Sequence, residues 1–326
     1  MRAVVTGGAG FIGSHLLEAL TRRGDQAVCV ERRGASRRWI AGLPVTVHEC
    51  GVADAECLAA AMRGADIVFH LAALTEARTP EDFYAVNTDG TASVMRAAAS
   101  FGDAAPRVIL VSSLAALGPC RSGAPLDEDA VPHPLSTYGR SKLLAEAVVH
   151  AYADRVPATI LRLPTVYGPR ERAVLKFFQL VRRGVALTIG DWDRALTLLH
   201  VQDLVAGLLR VAETPASVGR TYILSHPEAV TWRAFAETVG RALGRVPVLL
   251  SVPVPVARVI ARTAELVAAA GRRAAILNRE RLREMTQRSW LCSTARAAAE
   301  LGFAPQVPAA VGVPLTAAWY REAGWL

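Results

Sequence analysis

The chain has 326 residues, of which 52% are hydrophobic, and a net charge of +8. These values predict a folded globular protein of one large domain or two coupled ones, and they exclude a disordered chain. The arginines are scattered, often in pairs, and no dense basic run carries interleaved aromatic residues. Nucleic-acid binding is therefore not expected.

The cysteines and the N-terminus indicate a reduced, cytoplasmic protein. The five cysteines form no C-x-x-C pair, and their odd number is a poor disulfide framework, so we expect reduced thiols. The apolar strand that begins at Ala3 leaves no room for a signal peptide, and no charge-free stretch is as long as a membrane span. No His/Cys cluster has metal-ligand spacing, so no metal site is predicted.

The first half of the chain alternates short apolar runs with helical patterns. Six strands are predicted, at Ala3–Thr6, Ala27–Val30, Val45–His48, Ile67–Leu71, Val108–Ser112 and Ala158–Leu163. The helical patterns between them are Phe11–Arg23, Ala55–Met62, Asp82–Ser100 and Thr137–Ala153. Strands separated by helices predict an α/β protein with a doubly wound parallel sheet, which binds ligands beyond the carboxyl ends of its strands.

After about residue 165 the pattern becomes irregular and is interrupted by proline and glycine. Helices are predicted at Ala173–Arg183, Val201–Ala212, Thr231–Leu243, Val256–Ala270 and Ala309–Glu322. We expect a dinucleotide-binding domain over residues 1–165, to which residues 195–214 return. A smaller, mixed α/β substrate-binding domain would then occupy residues 166–326.

The predicted helix Val256–Ala270 is amphipathic. Its apolar face comprises Val256, Val259, Ile260, Thr263, Leu266, Val267 and Ala270. We expect this face to pack on the protein core. Two alternatives stay open: the face lines an apolar substrate pocket, or it rests on a membrane surface with help from Arg272 and Arg273.

A glycine-rich turn follows the first strand and opens a helix. It reads Thr6-Gly7-Gly8-Ala9-Gly10-Phe11-Ile12-Gly13, a spacing that lets the backbone approach a pyrophosphate at the helix N-terminus. Glu31 closes the second strand and can accept hydrogen bonds from an adenosine ribose, which favours NAD. Arg32 and Arg33 could instead pair with a 2′-phosphate, so NADP stays possible.

A hydroxyl, a phenol and an amine form the candidate catalytic set. Lys142 is one of only two lysines in the chain and follows Tyr138 by four residues, on the same helix face. We expect its ammonium to lower the pKa of Tyr138 toward neutrality. Ser113 ends the fifth strand. Beside a dinucleotide site, these groups are suited to hydride transfer at an alcohol carbon, with Tyr138 exchanging the hydroxyl proton.

Several motifs together resemble an extended short-chain dehydrogenase/reductase of the NAD-dependent epimerase/dehydratase family. Besides the glycine turn, Ser112-Ser113 and Tyr138-x-x-x-Lys142, they are His70-Leu71-Ala72-Ala73, Asn87-Thr88-Asp89-Gly90-Thr91, Tyr167-Gly168-Pro169-Arg170, His200-Val201-Gln202-Asp203-Leu204 and Glu300-Leu301-Gly302-Phe303. The resemblance spans nearly the whole chain and implies a Rossmann fold. It also implies a homodimer formed through the helices near 82–100 and 137–153.

The resemblance assigns roles to individual residues. It implies that Ser113, Tyr138 and Lys142 are catalytic. The residues it places around the cofactor are Gly7, Gly10, Phe11, Ile12, Gly13, Glu31, Arg32, Val52, Leu71, Ala72, Ala73, Tyr138, Lys142 and Pro164. Asn87 would support the active-site backbone, and His70 and His200 are interpreted as structural.

The chain also departs from the family's pattern. Gly51 stands where an adenine-binding carboxylate is usual, and Thr165 stands where nucleotide-sugar epimerases carry asparagine. The apolar run 196–199 replaces an Arg-Asp pair that would clamp a diphosphate. These departures favour the branch similar to hydroxysteroid dehydrogenases and dihydroflavonol reductases, whose substrates are apolar or amphiphilic.

The sequence thus predicts an enzyme that interconverts a secondary alcohol and a ketone with NAD or NADP. One alternative is a nucleotide-sugar epimerase or dehydratase with tightly bound NAD, in which Arg281 or Arg283 replaces the missing clamp. Another is a non-catalytic cofactor sensor. The identity of the substrate and the direction of the reaction do not follow from the sequence.

Overall fold

A computed structural model describes residues 1–120, 123–270 and 278–326, and of residues 266–270 it describes only the backbone. The strands are β1 (Arg2–Thr6), β2 (Gln26–Glu31), β3 (Val45–Glu49), β4 (Ile67–His70), β5 (Arg107–Ser113), β6 (Ala158–Leu163), β7 (Thr165–Tyr167), β8 (Val185–Ile189), β9 (Ala195–His200), β10 (Thr221–Ile223), β11 (Ala229–Thr231), β12 (Val248–Val252) and β13 (Ser289–Trp290). The helices are α1 (Phe11–Arg22), α2 (Ala55–Met62), α3 (Pro80–Phe83), α4 (Gly90–Ala99), α5 (Thr137–Ala151), α6 (Ala173–Arg182), α7 (Val201–Glu213), α8 (Trp232–Leu243), α9 (Val254–Ala270), α10 (Arg279–Met285), α11 (Ala295–Leu301) and α12 (Ala309–Glu322).

Seven parallel strands form the central sheet, in the order β10-β6-β5-β4-β1-β2-β3. Apolar side chains of α1, α7 and α11 cover one face, and those of α2, α4 and α5 cover the other. The predicted doubly wound α/β class is confirmed, with all six predicted strands in this sheet. The seventh strand, β10, was not predicted; it is only three residues long and comes from late in the chain.

The predicted helix Asp82–Ser100 is wrong as a single α-helix. It consists of α3, a π-helical turn over Tyr84–Asp89, and α4. The π-turn buries Asn87, whose amide donates to Leu74 O at 3.0 Å and to Ser141 Oγ at 2.9 Å. This fixes the segment after β4 against α5, a role for which an inserted π-turn is well suited.

The remaining strands form two smaller sheets. β9 pairs with β7, β11 and β13, and β12 pairs with β8. Helices α6, α8 and α12 enclose a separate aromatic-rich core beside them. Of the segment 195–214, the helix α7 packs on the central sheet and the strand β9 joins a small sheet. The division into two domains at residue 165 stays a prediction.

Helix α9 does not bury its apolar face, so the expected packing on the core is wrong for its described side chains. Ala257 and Ala261 make the contact with α10 and β8, while Val256, Val259 and Ile260 are 49%, 62% and 48% exposed. Small alanines let the helix approach closely, and the larger residues are left on the outside. Of the other predicted members of that face, the side chains of Leu266, Val267 and Ala270 lie outside the described residues, as do Arg272 and Arg273.

Two cysteines are joined, which corrects the expectation of fully reduced thiols. Cys50 at the end of β3 forms a disulfide with Cys57 in the first turn of α2. Asp54 caps α2 by accepting from Cys57 N at 3.0 Å, and this turn of the chain brings the two cysteines together. Cys29, Cys120 and Cys292 are free and buried. Over the described ranges, no helix has the length and apolarity needed to cross a bilayer.

Candidate active site

The glycine turn is shaped by steric contacts that only glycine allows. Gly7 has φ +69°, and a Cβ there would lie 3.0 Å from the backbone of Ala72. A Cβ on Gly13 would lie 2.3 Å from Gly7 O. At Gly10, where α1 begins, no side chain caps the first turn. The first N–H groups of α1 are therefore suited to a pyrophosphate, and the segment Leu71–Ala73 borders the turn.

Glu31 lies beside this turn. Its carboxylate accepts from Ala9 N and from Arg32 N, both at 3.2 Å. The side chain of Arg32 is exposed. Val52 packs against the start of α4, because a Cβ on Gly90 would lie 2.5 Å from Val52 Cγ2. Gly51 faces open space, so the structure places no side chain where the family's carboxylate would stand.

The N-terminus of α5 is held against the end of β5. A Cβ on Gly139 would lie 2.3 Å from Ala115 O, and Ser136 Oγ caps the helix by accepting from Gly139 N at 3.0 Å. This close approach brings Tyr138 next to Ser113, and the two side chains are hydrogen-bonded. The structure therefore brings together the serine and the phenol that the sequence separates by twenty-five residues.

The expected effect of Lys142 on Tyr138 is wrong in this structure. Burial raises the pKa of Tyr138, the hydrogen bond with Ser113 opposes this rise, and the charge of Glu284 adds to it. Lys142 is buried and donates to Val111 O at 2.6 Å. Burial lowers the pKa of Lys142 to about 8, against the attraction of Glu146. Desolvation is thus the largest influence on the pKa of both groups.

A buried ion pair fixes the helix that carries Tyr138 and Lys142. Glu146 accepts from Arg162 Nη2 at 2.7 Å and also from the hydroxyl of Ser112. Arg162 donates in addition to Glu128 O at 2.8 Å. These contacts tie α5 to β5 and β6, so the reactive groups stand on a fixed support. No sequence motif indicated this pair.

The sequence also gave no indication of two carboxylates from α10 that contact the N-terminus of α5. Glu280 accepts from Thr137 N at 2.7 Å and from Thr137 Oγ1 at 3.0 Å. Glu284 accepts from the hydroxyl of Ser136. Burial raises the pKa of Glu284, the Ser136 hydrogen bond opposes the rise, and the neighbouring Glu280 adds to it. Acidic groups are favoured at a helix N-terminus, but these lie more than 140 residues away in sequence.

A cavity of about 280 Å³ opens above Ser113 and Tyr138. One side, the catalytic wall, comprises Ser113, Leu114, Ala115, Tyr138, Leu163, Pro164 and Thr165. The other side, the substrate wall, comprises Arg194, Ala195, Leu196, Thr197, Trp232, Glu284, Met285, Gln287 and Trp290. Apolar side chains predominate on both walls.

One guanidinium that the sequence analysis did not identify reaches this cavity. Arg194 is buried and donates through Nε to Asp191 O and through Nη2 to Thr188 Oγ1, both at 2.7 Å. The suggested clamps do not line this cavity: Arg281 pairs with Glu76 and lines a neighbouring cavity that Tyr138 and Glu284 also line, and Arg283 lines a third one. Arg194 was missed because it precedes the position where the family's Arg-Asp pair is expected.

The two histidines interpreted as structural are buried. His70 is hydrogen-bonded through Nδ1 to Thr6 and through Nε2 to Thr91. Burial lowers its pKa to about 3, so the ring is neutral. His200 caps α7 by accepting weakly from Gln202 N at 3.4 Å. Neither ring lines the cavity above Tyr138.

Comparison with known proteins places this site in a family. The sequence model of the NAD dependent epimerase/dehydratase family matches residues 3–225. A ceramide reductase of Caulobacter vibrioides is 30% identical over 323 residues, covering 99% of this chain and 95% of that protein. A UDP-glucose 4-epimerase of Azospirillum brasilense is 35% identical over 175 residues, covering 51% of this chain and 49% of that protein.

The fold also resembles that of a solved structure. The crystal structure of a UDP-glucose 4-epimerase from Thermotoga maritima with UDP-glucose superimposes with a TM-score of 0.82 at 22% identity, covering 99% of each chain. The expected NAD-type cofactor is confirmed by the family, while the preference for NAD over NADP stays a prediction. The chain is an enzyme of the extended short-chain dehydrogenase/reductase type and belongs to the NAD dependent epimerase/dehydratase family.

Proposed function

We propose that this enzyme interconverts a secondary alcohol and a ketone on an apolar or amphiphilic substrate, with net turnover of NAD(H) or NADP(H). The observation that carries the proposal is the lining of the cavity above Ser113 and Tyr138. Apolar residues predominate, among them three leucines, two tryptophans and Met285, and the one guanidinium, that of Arg194, already donates to Asp191 O and Thr188 Oγ1. Such a lining favours an apolar substrate body with one reacting polar group.

Each catalytic residue has a defined task in ketone reduction. The bound nicotinamide would supply the hydride to the carbonyl carbon. Tyr138 Oη donates its proton to the carbonyl oxygen, and the hydroxyl of Ser113 hydrogen-bonds the same oxygen. The raised pKa of Tyr138 keeps the phenol protonated at neutral pH, which suits the reductive direction. In the oxidative direction the same proton returns to Tyr138.

The cofactor would lie along the carboxyl edge of the central sheet. Gly7, Gly10, Phe11, Ile12 and Gly13 would hold the pyrophosphate on the N-terminus of α1. Glu31 would accept from the adenosine ribose, with Val52 and the segment Leu71–Ala73 beside it. Lys142 and Pro164 would border the nicotinamide end. Glu31 favours NAD, and the exposed Arg32 or Arg33 would allow NADP.

One relative, the ceramide reductase, supports a lipid as the substrate. The sequence similarity to it extends over nearly all of both proteins, whereas the sequence match to the Azospirillum brasilense epimerase covers about half of each. A ceramide carries long hydrocarbon chains next to a hydroxyl-bearing polar end, which agrees with the lining of the cavity. We therefore infer a long-chain amphiphile, with the reacting oxygen at the polar end and the hydrocarbon directed away from Ser113.

A nucleotide-sugar epimerase is the second candidate, and Arg194 is the observation that favours it. A guanidinium in the substrate wall could face a diphosphate if its contacts with Asp191 and Thr188 were rearranged. An epimerase would abstract and return hydride within one turnover and would show no net change in cofactor.

The test is a pair of assays on the purified enzyme. A 3-oxo-ceramide with a short acyl chain, supplied with NADH or NADPH, should give stoichiometric cofactor oxidation and the corresponding alcohol. UDP-glucose should give neither UDP-galactose nor a cofactor change. Formation of UDP-galactose without net cofactor turnover, together with no reduction of the ketone, would overturn the proposal.

A cytoplasmic homodimer completes the proposal. The family resemblance implies a four-helix contact through the α3–α4 region and α5, and Leu144 on α5 is 47% exposed. Sedimentation of Leu144→Glu should show a shift toward the monomer if α5 forms the contact. An unchanged dimer would place the contact elsewhere.

A further inference from the structure

Helix α9 and the strand pair β8–β12 carry an apolar surface with no cover among the described residues. We define the apolar strip as Leu187, Val248, Leu250, Val256, Val259 and Ile260, each between 43% and 62% exposed. Soluble proteins seldom gather so many large apolar side chains in one outward patch without a partner.

The strands and the helix that carry the strip pack against each other. In the register of β8 and β12, Leu187 stands opposite Leu250, and Ile189 opposite Val252. Ile189 and Val252 pack under Ala257 and Ala261 of α9. Residues two apart in a strand share a face, so Leu187 and Leu250 extend beyond the part of that face that α9 covers. The strand pair and the outer side of α9 therefore form one surface.

Four arginines border the strip. Arg258 and Arg262 on α9 and Arg279 and Arg283 on α10 line a cavity of about 370 Å³, which we call the arginine pocket. Within the described residues only Arg279 forms an ion pair, with Glu265. Residues 266–277, part of which the structure does not describe, contain no aspartate or glutamate that could neutralise the others. The pocket therefore keeps a large positive charge.

Helical periodicity places the charge at the edge of the apolar side chains. With about 100° per residue, Arg258 and Arg262 lie between the buried alanines and the outward Val256, Val259 and Ile260. Cations beside an outward apolar face are the arrangement of helices that lie in a bilayer interface, where apolar groups enter the acyl boundary and cations contact phosphates.

We propose that the apolar strip and the arginine pocket dock this enzyme onto an anionic lipid bilayer. A second copy of the chain fits poorly, because a two-fold contact through this surface would bring two arginine pockets together. An anionic bilayer supplies phosphates that can pair with the arginines and hydrocarbon that can cover the apolar strip. The inference does not depend on the proposed function. If the substrate is an amphiphile dissolved in the bilayer, docking would place the enzyme next to it.

The test is flotation of the full-length enzyme with lipid vesicles. Vesicles of phosphatidylcholine with about one-third phosphatidylglycerol should bind the enzyme at about 0.1 M salt, and binding should weaken as salt rises. Pure phosphatidylcholine should bind much less. Because the vesicles contain no protein, binding to them cannot reflect an acidic protein partner.

Two double variants test the contributions of the arginines and of the apolar side chains separately. Arg258→Ala with Arg262→Ala should weaken binding to anionic vesicles by roughly 25-fold, about fivefold per arginine. Val259→Ser with Ile260→Ser should weaken binding to all vesicles. The matched control, Arg22→Ala with Arg63→Ala, removes the same charge from exposed positions on α1 and after α2 and should bind like the wild type. Thermal melting checks that each variant is folded.

Three results would overturn the proposal. The wild type fails to float with anionic vesicles, or the control pair weakens binding as much as Arg258→Ala with Arg262→Ala does. In the third, Val259→Ser with Ile260→Ser turns a dimer into a monomer while vesicle binding is unchanged. Ketone reduction in detergent is measured in parallel, so a loss of membrane binding is distinguished from a failure of the proposed chemistry.

Discussion

The two walls of the active-site cavity are built in different ways. The catalytic wall comes from α5 and from the ends of β5 and β6 with the residues that directly follow them, and its supports Ser112, Lys142 and Glu146 are almost fully buried. The substrate wall is assembled from three separate segments of the chain, which contain β9, α8, and the stretch from α10 to β13. One of its members, Met285, is 40% exposed.

This difference separates chemistry from specificity. A wall anchored by a buried ion pair holds Ser113 and Tyr138 in one geometry, which hydride and proton transfer require. The partly exposed residues of the substrate wall, such as Met285, can be replaced at small cost in stability, whereas Arg194, Leu196 and Thr197 are buried. Substitutions in the catalytic wall should therefore act on turnover, and those in the substrate wall on substrate affinity.

Of the variants considered, Tyr138→Phe should reduce turnover the most. The ring and its packing remain, but the proton donor is lost, so kcat for ketone reduction should fall by about 10²–10⁴-fold. NAD affinity, followed by quenching of protein fluorescence, should stay within a few-fold of the wild type. Full activity in this variant would remove Tyr138 from the reaction.

Lys142→Met should lower kcat by roughly tenfold or more, because the ammonium that donates to Val111 O and would border the nicotinamide end is gone. The pKa of Lys142 is lowered to about 8, so its charge is lost as pH rises through that value, and a step near pH 8 in the wild-type profile should disappear in the variant. The control is Lys176→Met, which removes the other lysine, exposed on α6. Superimposable profiles for Lys142→Met and the wild type would contradict this role.

Glu31→Ala should change cofactor choice and leave the substrate wall untouched. The ribose loses its acceptor and a 2′-phosphate is no longer repelled, so the ratio of kcat/KM for NADP to that for NAD should rise by about tenfold. Steady-state kinetics with both cofactors measures this ratio. A preference for NAD that does not change would place the adenosine ribose away from Glu31.

Met285→Ser should act on the substrate wall alone. Losing an apolar contact of about 1 kcal/mol should raise KM for an amphiphilic ketone by about fivefold, with kcat nearly unchanged. Val131→Ser, at a position 72% exposed and outside the cavity lining, is the matched control. A fall in kcat at constant KM would mean that the two walls are not separable.

Glu284→Gln should have the smallest effect of these variants, a shift in the pH profile of alcohol oxidation. Glu284 is the one residue of the substrate wall whose charge acts on the pKa of Tyr138. The charge of Glu284 adds to the raised pKa of Tyr138, so its removal should lower that pKa. Alcohol oxidation should then reach its plateau at a pH lower by a few tenths. Glu322→Gln, an exposed site on α12, should leave the profile in place. A shift to higher pH would contradict the interaction.

The comparison of the walls also explains what the sequence could predict. The glycine turn, Glu31, Ser113 and the Tyr138/Lys142 pair follow from local spacing on strands and helix starts, and the structure brings Ser113 and Tyr138 together. Contacts between distant segments do not follow from local spacing. Glu284, Arg194 and strand β10 reach their places through tertiary packing, and their neighbours in sequence give no sign of it.

Burial accounts for the predictions that were wrong. The pKa of Tyr138 rises because desolvation outweighs nearby charge, and desolvation depends on packing that a helix pattern does not contain. The apolar face of α9 looks like a core face, yet Ala257 and Ala261 on another side make the contact. The Cys50–Cys57 link depends on the path of the chain between β3 and α2, which the predicted bounds of the two elements do not contain.

The two carboxylates that α10 places on the start of α5 affect how this enzyme can be redesigned. Through Glu280 and Glu284, helix α10, which contributes to the substrate wall, is hydrogen-bonded to Ser136 and Thr137, directly before Tyr138. A chimera that takes the C-terminal segment from a relative would therefore also change the hydrogen bonds that hold the start of α5, and with it Tyr138, in place. Chimeras that retain both glutamates should accept new substrates with a kcat close to that of the native enzyme. Chimeras that lack them should have a low kcat with every substrate they bind.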